Sequence, residues 1–376
     1  MNATLGDLPT PALILDLDIL ERNLERMAQR ISQAGAQLRP HFKTHKCLEI
    51  AALQKKLGAC GFTASTLHEM RVLQEAGHDD ATWAFPLILN RATEAADLAR
   101  SSQNAAFLVD SLDAVTTLET EVAPSASGPV RVWLKVDSGY HRAGVEPQSE
   151  LALEIARHIA ESPALRFMGI LSHAGHGYSR PGREALRAVH AEDREVMAHF
   201  AAALRNAGID VPSVSIGSTP TLSVADQPGD WHGISEARPG NYVFHDFTQV
   251  QLGACEVADC ALTVMASVVS CRESAEHCVI DAGALTLSKD RGPEWHEPRT
   301  YGEIFSDYRQ SQLTPDIRVV NLSQEHGKVN APLPVGTRLR ILPNHSCLVV
   351  PHFRSYQLAR GEQVVGSWPI RHRTTG

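Results

Sequence analysis

Apolar positions in the chain gather in short runs, separated by longer stretches with helical spacing. Residues 11–17 (PALILDL) form one such run, and an amphipathic stretch follows at 18–34. Asp18 can cap that stretch and Gly35 lies just past its end, so a strand and then a helix are expected. Further strand candidates lie at 37–43, 59–65, 81–87, 105–111, 130–137, 167–173, 211–217 and 236–242. Helical patterns lie between most of them, at 67–76, 91–99, 149–161 and 183–207. This alternation predicts βαβ units and a parallel sheet. Eight runs at this spacing fit a (β/α)8 TIM-like barrel better than an open sheet. Lys43, Thr66, Asp137, His173, Ser218 and Asn241 stand at the carboxyl ends of the expected strands, on the face where barrels keep their active sites.

Past residue 250 the pattern turns β-like, at 257–270, 277–281, 318–322, 337–342 and 363–370, with few helical stretches. The expected division is a barrel over 18–250 and a β-rich domain formed by 1–17 and 251–376. The polar segment 288–311 reads as a loop over a surface or a site.

Composition narrows the function classes. The 376 residues are 43% hydrophobic and 21% charged, with 35 Lys and Arg against 43 Asp and Glu, a formal charge of −8. An acidic chain without a basic run is a poor match for nucleic acid, whose binding rests on phosphate neutralisation, or for an anionic membrane surface. No apolar run approaches the roughly 18–20 residues that span a bilayer, and the N-terminus lacks a basic segment followed by an apolar core. A cytoplasmic location is expected. The seven Cys are odd in number and scattered, which points to reduced thiols. The 18 His are many for this length.

Five segments carry candidate chemistry. In Arg39–Lys46 (RPHFKTHK), a lysine at an inner strand end would be desolvated, and Lys43 would then offer the neutral amine that Schiff-base chemistry needs; a basic surface loop is the competing reading. Ser218 and Thr219 lie in SIGSTPT, where small residues leave backbone N–H groups for an anion. Gly240, Asn241 and Tyr242 in RPGNY could complete that cradle, or both segments are plain turns. Asp137 and Arg142 flank a glycine turn, and the guanidinium suits a planar anion; a structural ion pair is the alternative. His173, His176 and Tyr178 stand among glycines in SHAGHGY, open to close ligand approach. His345 and Cys347 in PNHSC would project to one side of an extended segment. Imidazole plus thiolate suits Zn2+, with coordination positions left open for catalysis.

Taken in order, the RPHxKTHK, VDxGxxRxGV, HxG, GNY and PNHxC segments resemble the D-serine dehydratase / D-threonine aldolase family of fold-type III pyridoxal-phosphate enzymes, whose barrel is like that of alanine racemase. The resemblance covers nearly the whole chain. It implies that Lys43 carries pyridoxal 5'-phosphate and that Ser218, Thr219, Gly240 and Asn241 hold its phosphate. It places Arg142 on the side of the phenolic oxygen and His173 near the pyridine nitrogen. It makes His345 and Cys347 the ligands of a divalent metal, Zn2+ in preference to Mn2+ or Mg2+, and the protein a homodimer.

The resemblance further implies a lyase for D-3-hydroxy amino acids. D-serine-type dehydration to a 2-keto acid and ammonia is the favoured reaction, because His-x-Cys looks more like the dehydratases. Retro-aldol cleavage of D-threonine or 3-hydroxy-D-aspartate to glycine and an aldehyde is the alternative, with His176 or Tyr178 as its base. Dehydration of 3-hydroxyaspartate is a further alternative. Outside catalysis stands a pyridoxal-phosphate-binding protein without activity, a reading that the added β-rich domain disfavours.

Overall fold

The computed structural model describes residues 3–372. Its chain opens on strand β1 (Ala12–Asp16) and helix α1 (Leu17–Gln33). The cap of α1 is Asp16, whose Oδ1 accepts the Ile19 N–H at 3.1 Å. Asp18, the expected cap, instead takes an ion pair from Arg360 at the surface. Gly35 ends the helix in the left-handed region, as anticipated (φ 73°).

Two compact units follow from the packing. One comprises Met27–Lys43 and Ile50–Gly240. It is built on eight parallel strands: β2 (Gln37–Leu38), β3 (Phe62–Ala64), β4 (Ala81–Pro86), β5 (Ala106–Val109), β6 (Val130–Lys135), β7 (Leu165–Leu171), β8 (Val214–Ile216) and β9 (Glu236–Ala237). Pairing runs from β3 through β4 to β9 and on to β2. A parallel bridge between His41 and Thr63 closes the remaining gap between β2 and β3. Helices α2 (Leu48–Lys56), α3 (Leu67–Glu75), α4 (Ala92–Ser101), α5 (Leu112–Thr117), α6 (Glu150–Glu161) and α7 (Arg183–Asn206) alternate with the strands. Thr66 and Ser149 cap α3 and α6 by accepting backbone N–H groups at 3.1 Å. Along α7, Leu186, Val189, Met197, Phe200 and Leu204 are buried at three- and four-residue spacing, which turns one face to the sheet. Ala106, Leu108, Trp133 and Leu171, from neighbouring strands, form one apolar cluster.

A polar chain replaces apolar filling elsewhere in this unit. Arg39 pairs with Asp80 and with Glu236, each at 2.7 Å. Glu236 accepts Ser215 Oγ at 2.6 Å, and Arg238 donates to Ser215 Oγ and to the Ser172 carbonyl. Ser172 Oγ in turn donates to Asp193 at 2.7 Å. Each buried charge along this path meets an opposite charge or a hydrogen bond, as burial demands.

The second unit comprises the segment ending at Arg26, Thr44–Glu49 and Asn241–His372. It carries short helices α9 (Phe247–Gln251), α10 (Ala284–Leu287) and α11 (Ser346–Val349), whereas α8 (Thr219–Ser223) lies in the first unit. Its strands are β1, β10 (Leu262–Ser270), β11 (Cys278–Ile280), β12 (Glu303–Asp307), β13 (Gln312–Leu322), β14 (Gly327–Val329), β15 (Arg338–Leu342), β16 (Ser355–Arg360) and β17 (Gln363–Pro369). They form one sheet in the order β11-β14-β13-β12-β15-β10-β1-β16-β17, and an added β10–β11 pairing closes six strands into a ring. Every pairing is antiparallel except β1 with β16. Segment 288–311, read as a loop, contains strand β12. Leu5, Ala12, Ile14, Met265 and Ala359 pack together in the core. No helix among the described residues is long and apolar enough to cross a membrane.

Candidate active site

In the barrel unit, Lys43 lies on a single 3-10 turn, Phe42–Thr44, not on the strand expected over 37–43. Pro40 explains the difference: it has no N–H to donate and restricts Arg39 before it, so β2 stops at Leu38. Lys43 is half-buried. His173 follows β7, and its Nδ1 lies 3.1 Å from the Gly217 carbonyl. A carbonyl only accepts, so Nδ1 carries the proton and Nε2 keeps its lone pair. Burial, then the positive charges of Lys43, Lys135 and Arg142, hold this imidazole well below its usual range. It is neutral at pH 7.

Asp137 and Arg142 do not pair. Asp137 accepts the Gly139 and His141 N–H groups at 3.0 and 2.9 Å and the His141 ring at 3.1 Å. Those bonds shape the turn and hold its carboxylate low against burial. Arg142 is exposed and stacks its guanidinium 4.9 Å over the Tyr140 ring. Tyr140 lies edge-on to His173, with centroids 6.1 Å apart, and close to His176 at 6.5 Å. Glycine is required at position 175, where an added Cβ would meet the Tyr140 ring at 2.3 Å. His176 sits on the 3-10 turn Gly175–Ser179. Both its ring nitrogens are shut from solvent without a hydrogen-bond partner, and Glu192 Oε2 is 4.0 Å from Nε2. Tyr178, on the same turn, is half-buried.

Gly217, Ser218 and Thr219 make the turn between β8 and α8. Gly217 adopts φ 128° with Leu222 Cδ1 only 2.7 Å from where a Cβ would stand, so the backbone there stays bare. Ser218 Oγ meets Thr221 Oγ1 at 3.0 Å. Gly240 N–H donates to Thr219 Oγ1 at 3.2 Å, which laces the SIGSTPT turn to the RPG turn.

In the β-rich unit, His345 occupies the N-cap position of α11 with extended backbone, and Cys347 lies within the helix. The two side chains are therefore brought together by a cap followed by a helical turn, not by an extended segment. His345 Nδ1 is 3.2 Å from Asp290 Oδ2, and Cys347 Sγ donates to Thr44 Oγ1 at 3.3 Å. Burial disfavours the imidazolium, yet hydrogen bonds with Asp290 and Cys347 push His345 well up. The surroundings thus favour positive charge at this ring. Asp290 is itself fixed: Gly292 N–H donates to its Oδ1 at 2.7 Å, and Asn344 Nδ2 to its carbonyl at 3.0 Å. Among the described residues no three His, Cys, Asp or Glu side chains form a metal-holding cluster. Asn241 and Tyr242, on the 3-10 turn Asn241–Val243, are buried, and Asn241 Oδ1 has no hydrogen-bond partner.

Comparison with known proteins accounts for both units. Residues 15–246 match the model "Alanine racemase, N-terminal domain", and residues 261–359 match "Putative serine dehydratase domain". D-threo-3-hydroxyaspartate dehydratase of Delftia sp. (strain HT23) is 35% identical over 99% of this chain and 100% of its own. The chain belongs to the D-serine dehydratase / D-threonine aldolase family of fold-type III pyridoxal-phosphate lyases. D-threonine aldolase from Filomicrobium marinum has the same fold, with a TM-score of 0.85, 30% identity and coverage of 99% of this chain and 97% of its own. D-threo-3-hydroxyaspartate dehydratase has also been solved as a Cys-to-Ala variant in the metal-free form (TM-score 0.91, 34% identity, 99% and 100% coverage) and as a His-to-Ala variant (0.92, 35%, 100% and 98%). The substituted His and Cys of that relative are two positions apart, the spacing of His345 and Cys347.

Within this family framework the structure adds residues that no motif had singled out. Lys135, on β6, is 7% exposed. Burial, then the nearby Arg238 guanidinium, pushes its ammonium down to about 7, and its Nζ donates to the Val136 carbonyl at 3.1 Å. Arg238 is fully enclosed, and burial brings it down to about 10. Asp246 and Asp290 stand beside the metal-ligand candidates. Their separation in sequence left no spacing signal, whereas a lysine inside VWLKVD can be noticed as a charge in an apolar strand.

Proposed function

We propose that the protein dehydrates a D-3-hydroxy amino acid to a 2-keto acid and ammonia, using pyridoxal phosphate on Lys43 and a divalent metal on His345 and Cys347. The observation that carries this reading is the His345–Cys347 pair backed by Asp290. Imidazole and thiolate together suit Zn2+, a carboxylate on the far ring nitrogen is the usual support of a metal-bound histidine, and two protein ligands leave positions for substrate.

The residues also fit pyridoxal phosphate. The bare turn at Gly217–Thr219 gives room for a phosphate, and Asn241 Oδ1 and the His176 nitrogens are buried polar atoms without a hydrogen-bond partner. When bound, pyridoxal phosphate supplies an electron sink for charge developing at Cα. The metal supplies a Lewis acid for the β-hydroxyl. Lys43 Nζ takes the Cα proton. Neutral His173 offers the Nε2 lone pair to a ring N–H, and Arg142 offers a cation to a phenolate or carboxylate. A β-hydroxyl that leaves with its oxygen needs no base there, which is why dehydration is preferred. Retro-aldol cleavage needs one, and His176, whose ring nitrogens lack a hydrogen-bond partner, or Tyr178 would have to serve.

Substrate choice rests on two supports. The Delftia relative is named for D-threo-3-hydroxyaspartate, and the Arg142 guanidinium near His173 suits a second carboxylate. D-serine, D-threonine and D-threo-3-hydroxyaspartate are to be incubated separately with the holoenzyme, with keto acid and ammonia measured against glycine. Keto acid from the hydroxyaspartate at the highest kcat/KM is expected. Glycine as the main product overturns dehydration in favour of the aldolase reading.

A further inference from the structure

Asp246 lies outside every motif, yet four donors converge on its carboxylate beside the metal-ligand candidates. It is 1% exposed and caps α9, where its Oδ1 accepts the Gln249 N–H at 3.1 Å. Its Oδ2 accepts three donors: Asn241 Nδ2 at 2.6 Å, Ser346 N–H at 2.9 Å and Ser346 Oγ at 3.2 Å. Ser346 is the residue between His345 and Cys347. Asn241 Nδ2 also reaches Ser346 Oγ at 3.0 Å and Cys347 Sγ at 3.7 Å. The backbone repeats the connection, since Phe247 and Thr248 donate to the Pro343 and Asn344 carbonyls at 3.1 Å each.

We infer that Asp246 is a positioning residue that fixes the separation of the His345 and Cys347 donors and holds the Asn241 amide on the same carboxylate. The inference rests on the proposed metal role of that pair. Only a carboxylate can do this. Both its oxygens accept, and four donors converge on them. An asparagine there presents an NH2 group either to three donors or to the Gln249 N–H, so one side of the network must open in either orientation. The ligand pair would then lose its fixed spacing, and a metal would meet two donors that must first be ordered.

The test compares Asp246→Asn and Ser346→Ala with the wild-type holoenzyme, with zinc affinity measured by chelator competition and the absorption spectrum of the cobalt(II)-loaded protein recorded. A lost supporting contact around a metal typically costs about 10–100-fold in affinity, and a loss of that size with an altered cobalt spectrum is expected for Asp246→Asn. Ser346→Ala removes one donor but keeps the backbone N–H, so a smaller loss is expected. Wild-type zinc affinity and cobalt spectrum in a folded Asp246→Asn protein overturn the inference. If that variant fails to fold, unchanged affinity and spectrum in Ser346→Ala overturn it. A wild-type protein that takes up no zinc instead refutes the metal reading on which the inference rests.

Discussion

The lysine on β6 gives the sharpest quantitative expectation. Lys135 is enclosed, donates to a single carbonyl and shares its surroundings with Arg238 and Arg142, with Asp193 and Asp137 as partial compensation. Its ammonium falls from 10.5 to about 7 in the folded protein. Each tenfold change in proton affinity is worth about 1.4 kcal/mol, so a charged Lys135 costs the fold on the order of 5 kcal/mol. The sign follows from linkage. Below pH 7 both folded and unfolded chains carry the proton and the full cost is present. Between pH 7 and 10.5 the folded protein sheds it while the unfolded chain keeps it, so the penalty shrinks as pH rises. At pH 9 about 2 kcal/mol remains. Lys135→Met keeps an unbranched side chain one atom shorter and removes the charge. Its advantage over wild type in urea unfolding should therefore fall by about 2–3 kcal/mol between pH 6 and pH 9. Packing changes and the lost bond to Val136 are the same at both pH values and cancel in that difference. An advantage that does not change with pH would show that Lys135 keeps an ordinary ammonium and would refute the reasoning.

Other expectations concern the two chemical centres and the buried polar chain. Lys43→Ala should abolish both turnover and the Schiff-base absorbance of the purified enzyme; a retained band would place the cofactor elsewhere. Dialysis against EDTA, or Cys347→Ala, should stop turnover without bleaching that band, and activity that survives metal removal would sink the Lewis-acid role. Glu236→Gln leaves Arg39 short of one of its two carboxylates and breaks the bond pattern with Ser215. Breaking a buried pair in this way costs about 3–5 kcal/mol, to be read from the urea midpoint and slope. A change under about 1 kcal/mol would mean that Asp80 alone satisfies Arg39.

Periodicity made much of the architecture legible. Helices such as α6 and α7 announce themselves through apolar spacing over three turns or more, and their boundaries in the structure fall within a residue or two of the expected ones. Strands fared less evenly, for a local reason that recurs. Both β2 and β9 run into Arg-Pro, at 39–40 and 238–239, and both end before the proline, so the residues after them turn instead of extending. Those two turns carry Lys43 and Gly240. The ends of the strands were therefore overestimated at positions that carry candidate site residues. Strand β12 was hidden for a different reason. It pairs irregularly with β13, the next strand along, its other partner β15 lies farther on, and a five-residue segment has too little pattern of its own to reveal them.

The candidate site divides in the same way between local and distant information. Lys43, His345 and Cys347 belong to compact motifs, and a motif is readable because its residues are neighbours in sequence. What holds those residues in place is assembled from far apart. Asp290 supports His345 across 55 positions, and Asp246 reaches Ser346 across 100. Glu236 meets Arg39 across 197. Each of these carboxylates is at least half buried and each is matched to a cation or to converging N–H donors, an arrangement that follows from the cost of burying charge and not from any spacing rule. A single sequence therefore discloses the groups proposed to meet the substrate more readily than the groups that would aim them, and the aiming groups are where substitutions should separate metal affinity from cofactor binding.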